Sequence, residues 1–502
     1  MKPGELDYGD IQGLVRFGYK RMTKARYDLV RVKNPAAARS WLRSVPVTTA
    51  EAMDPPPKTA LQVAFTAQGL RALGVPESVI EEFSHEFRSG MTVKSRSRQL
   101  GDVGSNAPES WDWGGPSREP HAVVMFFAEP GHFDTLIESL TESVWQEAFE
   151  PVVPPLGTTD LDGIEPFGFA DGISQPQIDW EQRKETTHAQ LDYTNVVALG
   201  EVLLGYRNEY GKFTERPLLK PGTASSGLLD AEDEPLKKDL GRNGTYLVMR
   251  QLHQDVRGFW QFMNEQAGGD YHEAEKLAAT MVGRTKEGDP LVPLRKEPIP
   301  GIDPGEGRRN QFTFDVDPAG ARCPFGAHVR RANPRNTDYP NRPTNILKKI
   351  ITMLGFGPRG LYDDLTSSVR FHRIVRRGRE YGNELPIERA INPPPPDDPG
   401  RGLHFICLNA NILRQFEFLQ NAWMMSTKFS GLTEESDPLV GNRQSIQGCP
   451  VTGNFSISTD GGLSHRITGL PQFVTVRGGA YFFLPSLRAL RYFATTAGDR
   501  MG

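Results

Sequence analysis

Cysteine is scarce in this chain of 502 residues: Cys323, Cys407 and Cys449 are the only three, too few and too widely spaced for a disulfide framework, and none has metal-site spacing. Such usage fits a reducing compartment. Long apolar runs are also missing, since no stretch approaches the roughly 18 residues that a membrane-spanning helix needs, so no membrane partner is expected. The N-terminal stretch MKPGELDYGDIQGLVRFGYKRM lacks a charged region followed by an apolar one, and a cytoplasmic location is expected from it. Neither sign of charge dominates. With 58 basic and 62 acidic residues the net charge is −4, which offers no broad positive field and argues against a nucleic-acid partner. A Gly-x-Ser-x-Gly nucleophile motif is absent as well, which disfavours a hydrolase.

What is abundant points to loops. The 51 glycines and 40 prolines stay below a low-complexity level and predict long ordered loops that carry function. The length exceeds what one hydrophobic core usually organises, so two domains are expected. One local pattern recurs, in which a β-branched or aromatic run is followed by a turn and then by helical periodicity. In RYDLVRVKNPAAARSWLRSV it predicts a strand at Tyr27 to Val32 and a helix running to about Ser44. ALQVAFTAQGLRALGV and HAVVMFFAEPGHFDTLIESL repeat the form, and after a polar stretch it restarts with a strand at Tyr246 to Leu252. The segment Gly402 to Trp423 matches the one at Leu61. The pattern reads as two similar α+β sheets, duplicated and diverged, one in residues 1–221 and one in 222–502. Between their faces or edges they could enclose something large.

Three segments hold candidate chemistry. In EPFGFADGISQP, Gly168 and Gly172 flank Asp171 and permit positive φ or the close approach of a bulky planar group, while Phe167 and Phe169 make the surroundings apolar. A turn aspartate read alone is a cap as readily as an acid. In RCPFGAHVRRANPRN, His328 follows an apolar step and precedes Arg330, Arg331 and Arg335. Neighbouring cations disfavour a protonated imidazole, which suits a metal ligand, and a simple basic patch reads equally well. In SSVRFHRIVRRGREYG, charged and apolar residues alternate with period two, predicting a strand with Arg370, His372, Ile374 and Arg376 on one face. Likewise Leu403 and Phe405 share a face of the strand GLHFICL and read either as the wall of a pocket or as core.

Taken together, these segments resemble the dye-decolourising peroxidase family. Gly168-Phe169-Ala170-Asp171-Gly172 matches its Gly-x-x-Asp-Gly motif, CPFGAHVRRANPR is similar to its proximal-histidine region, and Arg376 falls in an Arg-Arg-Gly-x-x-Tyr-Gly segment like that of its distal arginine. The resemblance extends through DIQGLV, LGEVLLGYRNEYG and FVTVRGGAYFFLPSLRALRYF, covers nearly the whole chain, and looks most like the large subgroup that includes the fungal enzymes. It implies an α+β fold of duplicated ferredoxin-like domains, of the dimeric α/β barrel type, enclosing haem b. It also implies an enzyme that reduces hydrogen peroxide and oxidises dyes, phenolics or similar small aromatic donors.

By the same resemblance His328 is the axial iron ligand, Asp171 the distal acid and base, and Arg376 the group that stabilises O–O cleavage. Asp437 is then the partner of His328, with Glu434 and Glu435 as competitors. Arg335, Asn333 and Arg330 would meet the haem propionates, Phe169 and Gly172 would line the distal side, and Leu403 and Phe405 would narrow it. Some relatives carry a histidine seven positions before the catalytic aspartate, where this chain has Ile164. Trp423 and Tyr381 are candidate electron relays. A haem-carrying protein with little peroxidase activity is the competing reading, and assembly into a homo-oligomer is left open.

Overall fold

A computed structural model describes residues 6–184, 193–305, 307–336, 350, 369–444, 453–459 and 464–496. Cys449 lies outside the described residues. In the N-terminal half, β1 (Lys24–Val32) leads into α1 (Pro35–Ser44), whose first turn is capped by the side chain of Asn34 accepting from the amides of Ala36 and Ala37. β2 (Thr59–Phe65) is followed by α2 (Ala67–Ala72), capped by Thr66, and β3 (Ala122–Ala128) by α3 (Phe133–Leu140) and the short β4 (Phe149–Pro151). In the C-terminal half come β5 (Thr245–Gln254), α4 (Val256–Gln266), α5 (Tyr271–Val282), α6 (His328–Ala332), β6 (Val375–Arg376), β7 (Arg379–Tyr381), β8 (Gly402–Asn409), β9 (Val474–Leu484) and α7 (Leu487–Thr495). The strand-then-helix units thus fall where periodicity places them.

The two expected sheets are fused into one. Strand order β6-β8-β5-β9-β2-β3-β1-β4 forms the main path of a ten-stranded sheet, with β7 also on β8 and a two-residue strand at Leu156–Gly157 on β1. Every pairing along it is antiparallel, and the halves meet through the single register pair Phe483 and Phe65. Each half therefore keeps its own ladder and shares only an edge.

Both faces of this sheet are covered. Along β3, Val124 and Phe126 enter one apolar cluster with Leu61, Phe65 and Phe483, while Val123, Met125 and Phe127 enter a second with Ala60, Leu247 and Phe482. Alternating side chains of one strand serve opposite faces, which is why these strands read as continuous apolar runs. A third cluster lies off the sheet, where Phe259, Trp260 and Met263 of α4 pack with Phe167, Phe169 and the helix α5. It anchors the Asp171 loop.

One predicted element is corrected. The alternation at Arg370 to Arg376 predicted a strand, whereas Val369–His372 is a 3-10 turn and only Val375–Arg376 joins the sheet. Side chains replace the ladder here. Arg414 donates to the Phe371 carbonyl at 2.7 Å and Gln415 to the Arg373 carbonyl at 2.6 Å, while the His372 ring stacks on Phe418 at 3.6 Å. Once these contacts satisfy the backbone, period two no longer has a sheet to report.

Candidate functional site

The Asp171 loop is a closed turn. Residues Ile164 and Ala170 form an isolated bridge, the Asp171 amide donates to the Gly163 carbonyl at 2.8 Å, and Gly168 and Gly172 adopt φ of 97° and 73°. A side chain at either would be strained in that conformation. A Cβ built on Gly172 meets nothing within 4 Å, so open space lies beside the aspartate. Phe169 is buried and lies parallel to Trp260, whose indole N–H donates to the Phe167 carbonyl at 3.0 Å.

Arg376 reaches this loop from the sheet. Its guanidinium donates to Asp171 Oδ1 at 2.8 Å, and the two side chains remain 31% and 29% exposed although they lie deep in the protein. Groups enclosed by protein yet open on one side line an internal cavity. In the register Arg376 pairs with Cys407 of β8, so Cys407, Phe405 and Leu403 project from the same sheet face as Arg376. Phe405 and Leu403 are only half-buried, whereas their strand neighbours Gly402, His404 and Ile406 are buried. Sequence reasoning missed Gln175, whose amide clamps Arg376 twice: Oε1 accepts from the Arg376 amide at 3.0 Å and Nε2 donates to its carbonyl at 3.2 Å. Gln175 belongs to the same motif as Asp171, which was the available signal.

His328 opens α6 within electrostatic reach of this ion pair. It too is enclosed, with 29% of its side chain open, and it feels the charges of both Asp171 and Arg376. Its Nδ1 lies 3.0 Å from Asp437 Oδ2, while Asp437 Oδ1 accepts from the amides of Leu439 and Val440 at 2.9 Å each. Glu434 and Glu435 are engaged elsewhere, with Arg466 and with Ser456. Arg331 fastens this arrangement by donating to the carbonyls of Trp423, Ser426 and Glu435 at 2.7, 3.0 and 2.6 Å.

The electrostatics differ from the sequence expectation. Burial disfavours the His328 imidazolium, but the charge and hydrogen bond of Asp437 outweigh it and raise the imidazole above its ordinary value. The neighbouring arginines have little part in this. Burial would push the Asp171 carboxyl up, and Arg376, the Gly172 amide and His328 together hold it below its ordinary value of 3.8.

The remaining candidates split. Arg335 sits at the end of this segment with φ 57°, a left-handed conformation that a long side chain adopts only under constraint. It donates to the carbonyls of Asn310 and Phe312 and to Asn310 Oδ1, and its buried Nε has no partner among the described residues. Asn333 donates to the Tyr193 hydroxyl at 3.2 Å, which Arg373 also approaches at 3.3 Å, and neither Tyr193 nor Arg373 was among the residues singled out in the sequence. Arg330 is placed differently, with its terminal nitrogens on Asp317 and the Cys323 carbonyl and its guanidinium over Phe314 and Phe325. Trp423 packs edge-on against His372 and Phe418, and Tyr381 stacks on His404. Ile164 is exposed. Cys323 and Cys407 are buried free thiols whose pKa burial pushes up, to about 12 for Cys323, so neither supplies a thiolate.

No family model matches the chain. It is 28% identical to the dye-decolorizing peroxidase msp1 of Mycetinis scorodonius over 97% of this chain and 87% of that one. It is 29% identical to the multifunctional dye peroxidase DyP2 of an Amycolatopsis species over 86% of this chain and 81% of that one. Among solved structures, a dye-decolorizing peroxidase in complex with 2,6-dimethoxyphenol superposes with a TM-score of 0.69 at 25% identity, covering 98% of this chain and 100% of the other. An ancestral D-type dye decolorizing peroxidase superposes with a TM-score of 0.71 at 25% identity, covering 97% and 98%. The duplicated ferredoxin-like α+β architecture and the agreement along almost the full chain lead to one conclusion: the chain is similar, over nearly its whole length, to dye-decolorizing peroxidases, fungal ones included, and shares their fold.

Proposed function

We propose that this chain is a haem b peroxidase that reduces hydrogen peroxide with Asp171 as proton shuttle, Arg376 as electrostatic partner and His328 as axial ligand. The observation that carries it is the convergence of three sequence-distant groups, each half-exposed, with His328 within electrostatic reach of the Asp171–Arg376 pair. The donor set fits a haem. An imidazole whose Nδ1 is tied to a carboxylate has its Nε2 lone pair available for iron. The unpartnered Nε of Arg335 and the amide of Asn333 suit the propionates, and the open space at Gly172 suits a flat macrocycle. In this reading Arg330 braces the proximal segment from behind, Phe169 forms an apolar wall, and Leu403 and Phe405 narrow the distal side.

Bound there, haem supplies the two-electron reduction of the peroxide O–O bond. The chain supplies the rest. Asp171, ionised because its carboxyl is held below the usual range, takes the proton from the near peroxide oxygen and returns it to the far one as the bond opens. Arg376, permanently cationic, stabilises charge developing on the leaving oxygen, and its donor is already aligned by Gln175. Asp437 holds the tautomer of His328. The electrons come from dyes, phenolics or similar small aromatic donors.

The proposal extends to a division at 221/222, a cytoplasmic location and no nucleic-acid partner. Among the described residues no helix is long and apolar enough to cross a membrane. The test is spectroscopic: haem-loaded protein is expected to show a Soret band that shifts on adding one equivalent of peroxide, and His328→Ala is expected to lose the haem on gel filtration. A wild-type chain that takes up no haem would overturn the assignment.

A further inference from the structure

Glu165 opens the stretch that carries Asp171, and no role has been given to it. Glu165 is half-buried, and its carboxylate is held by three donors. Oε2 accepts from the Phe167 amide and Oε1 from the Phe169 amide, both at 3.0 Å, and the Gln254 side chain of β5 donates to Oε2 at 2.6 Å. The backbone closes around the same residue. The Glu165 amide donates to the Phe169 carbonyl at 2.9 Å, and the Gly168 amide donates to the Glu165 carbonyl at 2.7 Å. One side chain is thus the centre about which residues 165–169 are wound, and Asp171 leaves that winding two residues later.

The surroundings make the arrangement directional. Gln254 presents its N–H to Glu165 and leaves its own buried Oε1 without a partner, so its orientation is set by the carboxylate. Burial and the nearby Asp171 charge push the Glu165 carboxyl up to about 7 in spite of its three donors. An acid that spends both oxygens on the amides of its own loop has a structural reason in the loop it holds. A misplacement of about 1 Å in a reacting group can slow a reaction a hundredfold, so holding this loop matters to a proton transfer at Asp171.

We propose that Glu165 is a positioning residue for the peroxide reaction, fixing the Phe167 and Phe169 amides so that Asp171 meets Arg376 and peroxide in one geometry. This rests on the reading of Asp171 as the proton shuttle. A glutamine at position 165 keeps the size but turns one acceptor into a donor, which cannot accept from both amides at once.

The test uses the haem-loaded Glu165→Gln enzyme. Its second-order rate constant with hydrogen peroxide is expected to fall about tenfold and its KM for peroxide to rise correspondingly, with kcat for 2,6-dimethoxyphenol changing less than about twofold. Deuterium exchange at the Phe167 and Phe169 amides is expected to accelerate in the same sample, a readout independent of turnover. A peroxide rate constant within about twofold of wild type overturns the proposal, whatever the exchange shows. If Glu165→Gln does not retain haem, Gln254→Leu removes one donor and leaves the loop's own bonds; a peroxide rate reduced about threefold supports the proposal and an unchanged rate overturns it. Asp171→Asn measured alongside separates the two readings: a loss there with none at Glu165→Gln overturns this inference alone, whereas no loss at Asp171→Asn overturns the shuttle and the inference with it.

Discussion

Two aspartates flank the site, one paired with His328 and one with Arg376, and their surroundings differ in kind. Asp437 is fully buried, and each of its oxygens is occupied, Oδ1 by the amides of Leu439 and Val440 and Oδ2 by His328. Asp171 is 29% open, shares Oδ1 with Arg376 and keeps a side free toward the cavity. A buried carboxylate whose two oxygens already serve three donors can orient a partner but is not open to a substrate. One that is half-open and steadied by a single cation is. The difference in role follows from coordination, not from residue type.

The comparison breaks most visibly at Asp171. Asp171→Asn preserves shape and removes the base, and the expected outcome is a fall of about a thousandfold in the second-order rate constant with hydrogen peroxide, measured by stopped-flow at the Soret band. Haem content should stay at the wild-type level, because the substitution leaves the proximal side untouched. A fall of less than tenfold would mean that some other group accepts the proton.

Arg376→Leu is expected to cost less, about a hundredfold, since it removes one aligned donor but leaves the base. It also sharpens the comparison through pH. In the wild type, burial raises the Asp171 carboxyl while Arg376 leads the groups that hold it below 3.8, so the peroxide rate should fall only as pH drops below that value. Without the guanidinium, burial acts unopposed by its main counterweight, and the acid limb of the rate profile should move above 3.8. An acid limb that does not move would detach it from Asp171.

How much of this was legible in the sequence depends on the distance over which each feature is determined. The strand-helix units at Lys24–Ser44 and Thr59–Ala72 were, because periodicity, an asparagine or threonine cap and a proline at N1 are local. So was the positive φ of Gly168 and Gly172. Fusion of the halves was not, since it turns on one pair, Phe65 with Phe483, more than four hundred residues apart in the chain. The alternation at Arg370 to Arg376 misled because Arg414 and Gln415 satisfy carbonyls of that backbone from a distance. Asp437 could be placed beside His328 only through family resemblance, Gln175 had only its place in the Asp171 motif as a signal, and Tyr193 and Arg373 needed coordinates, because partners 140 and 180 positions away leave no local trace.

The smallest expected effect lies on the proximal side. Asp437→Asn is isosteric, yet the amide cannot reproduce what the carboxylate does for three donors. If its oxygen stays on the Leu439 and Val440 amides, its NH2 faces His328 Nδ1, which must then accept; the ring proton is forced onto Nε2, the nitrogen that would bind iron. If the amide turns the other way, Nδ1–H keeps its acceptor and two backbone N–H groups meet a donor instead. Either way the ligand is held less well, and the expected outcome is about a tenfold weaker affinity for haem, read by titrating the apo-protein at the Soret wavelength. The rate of reaction with peroxide in the fraction that retains haem should change far less than in Asp171→Asn. An affinity within twofold of wild type would reduce Asp437 to a turn cap, and the two aspartates would then differ in exposure but not in what they do for the site.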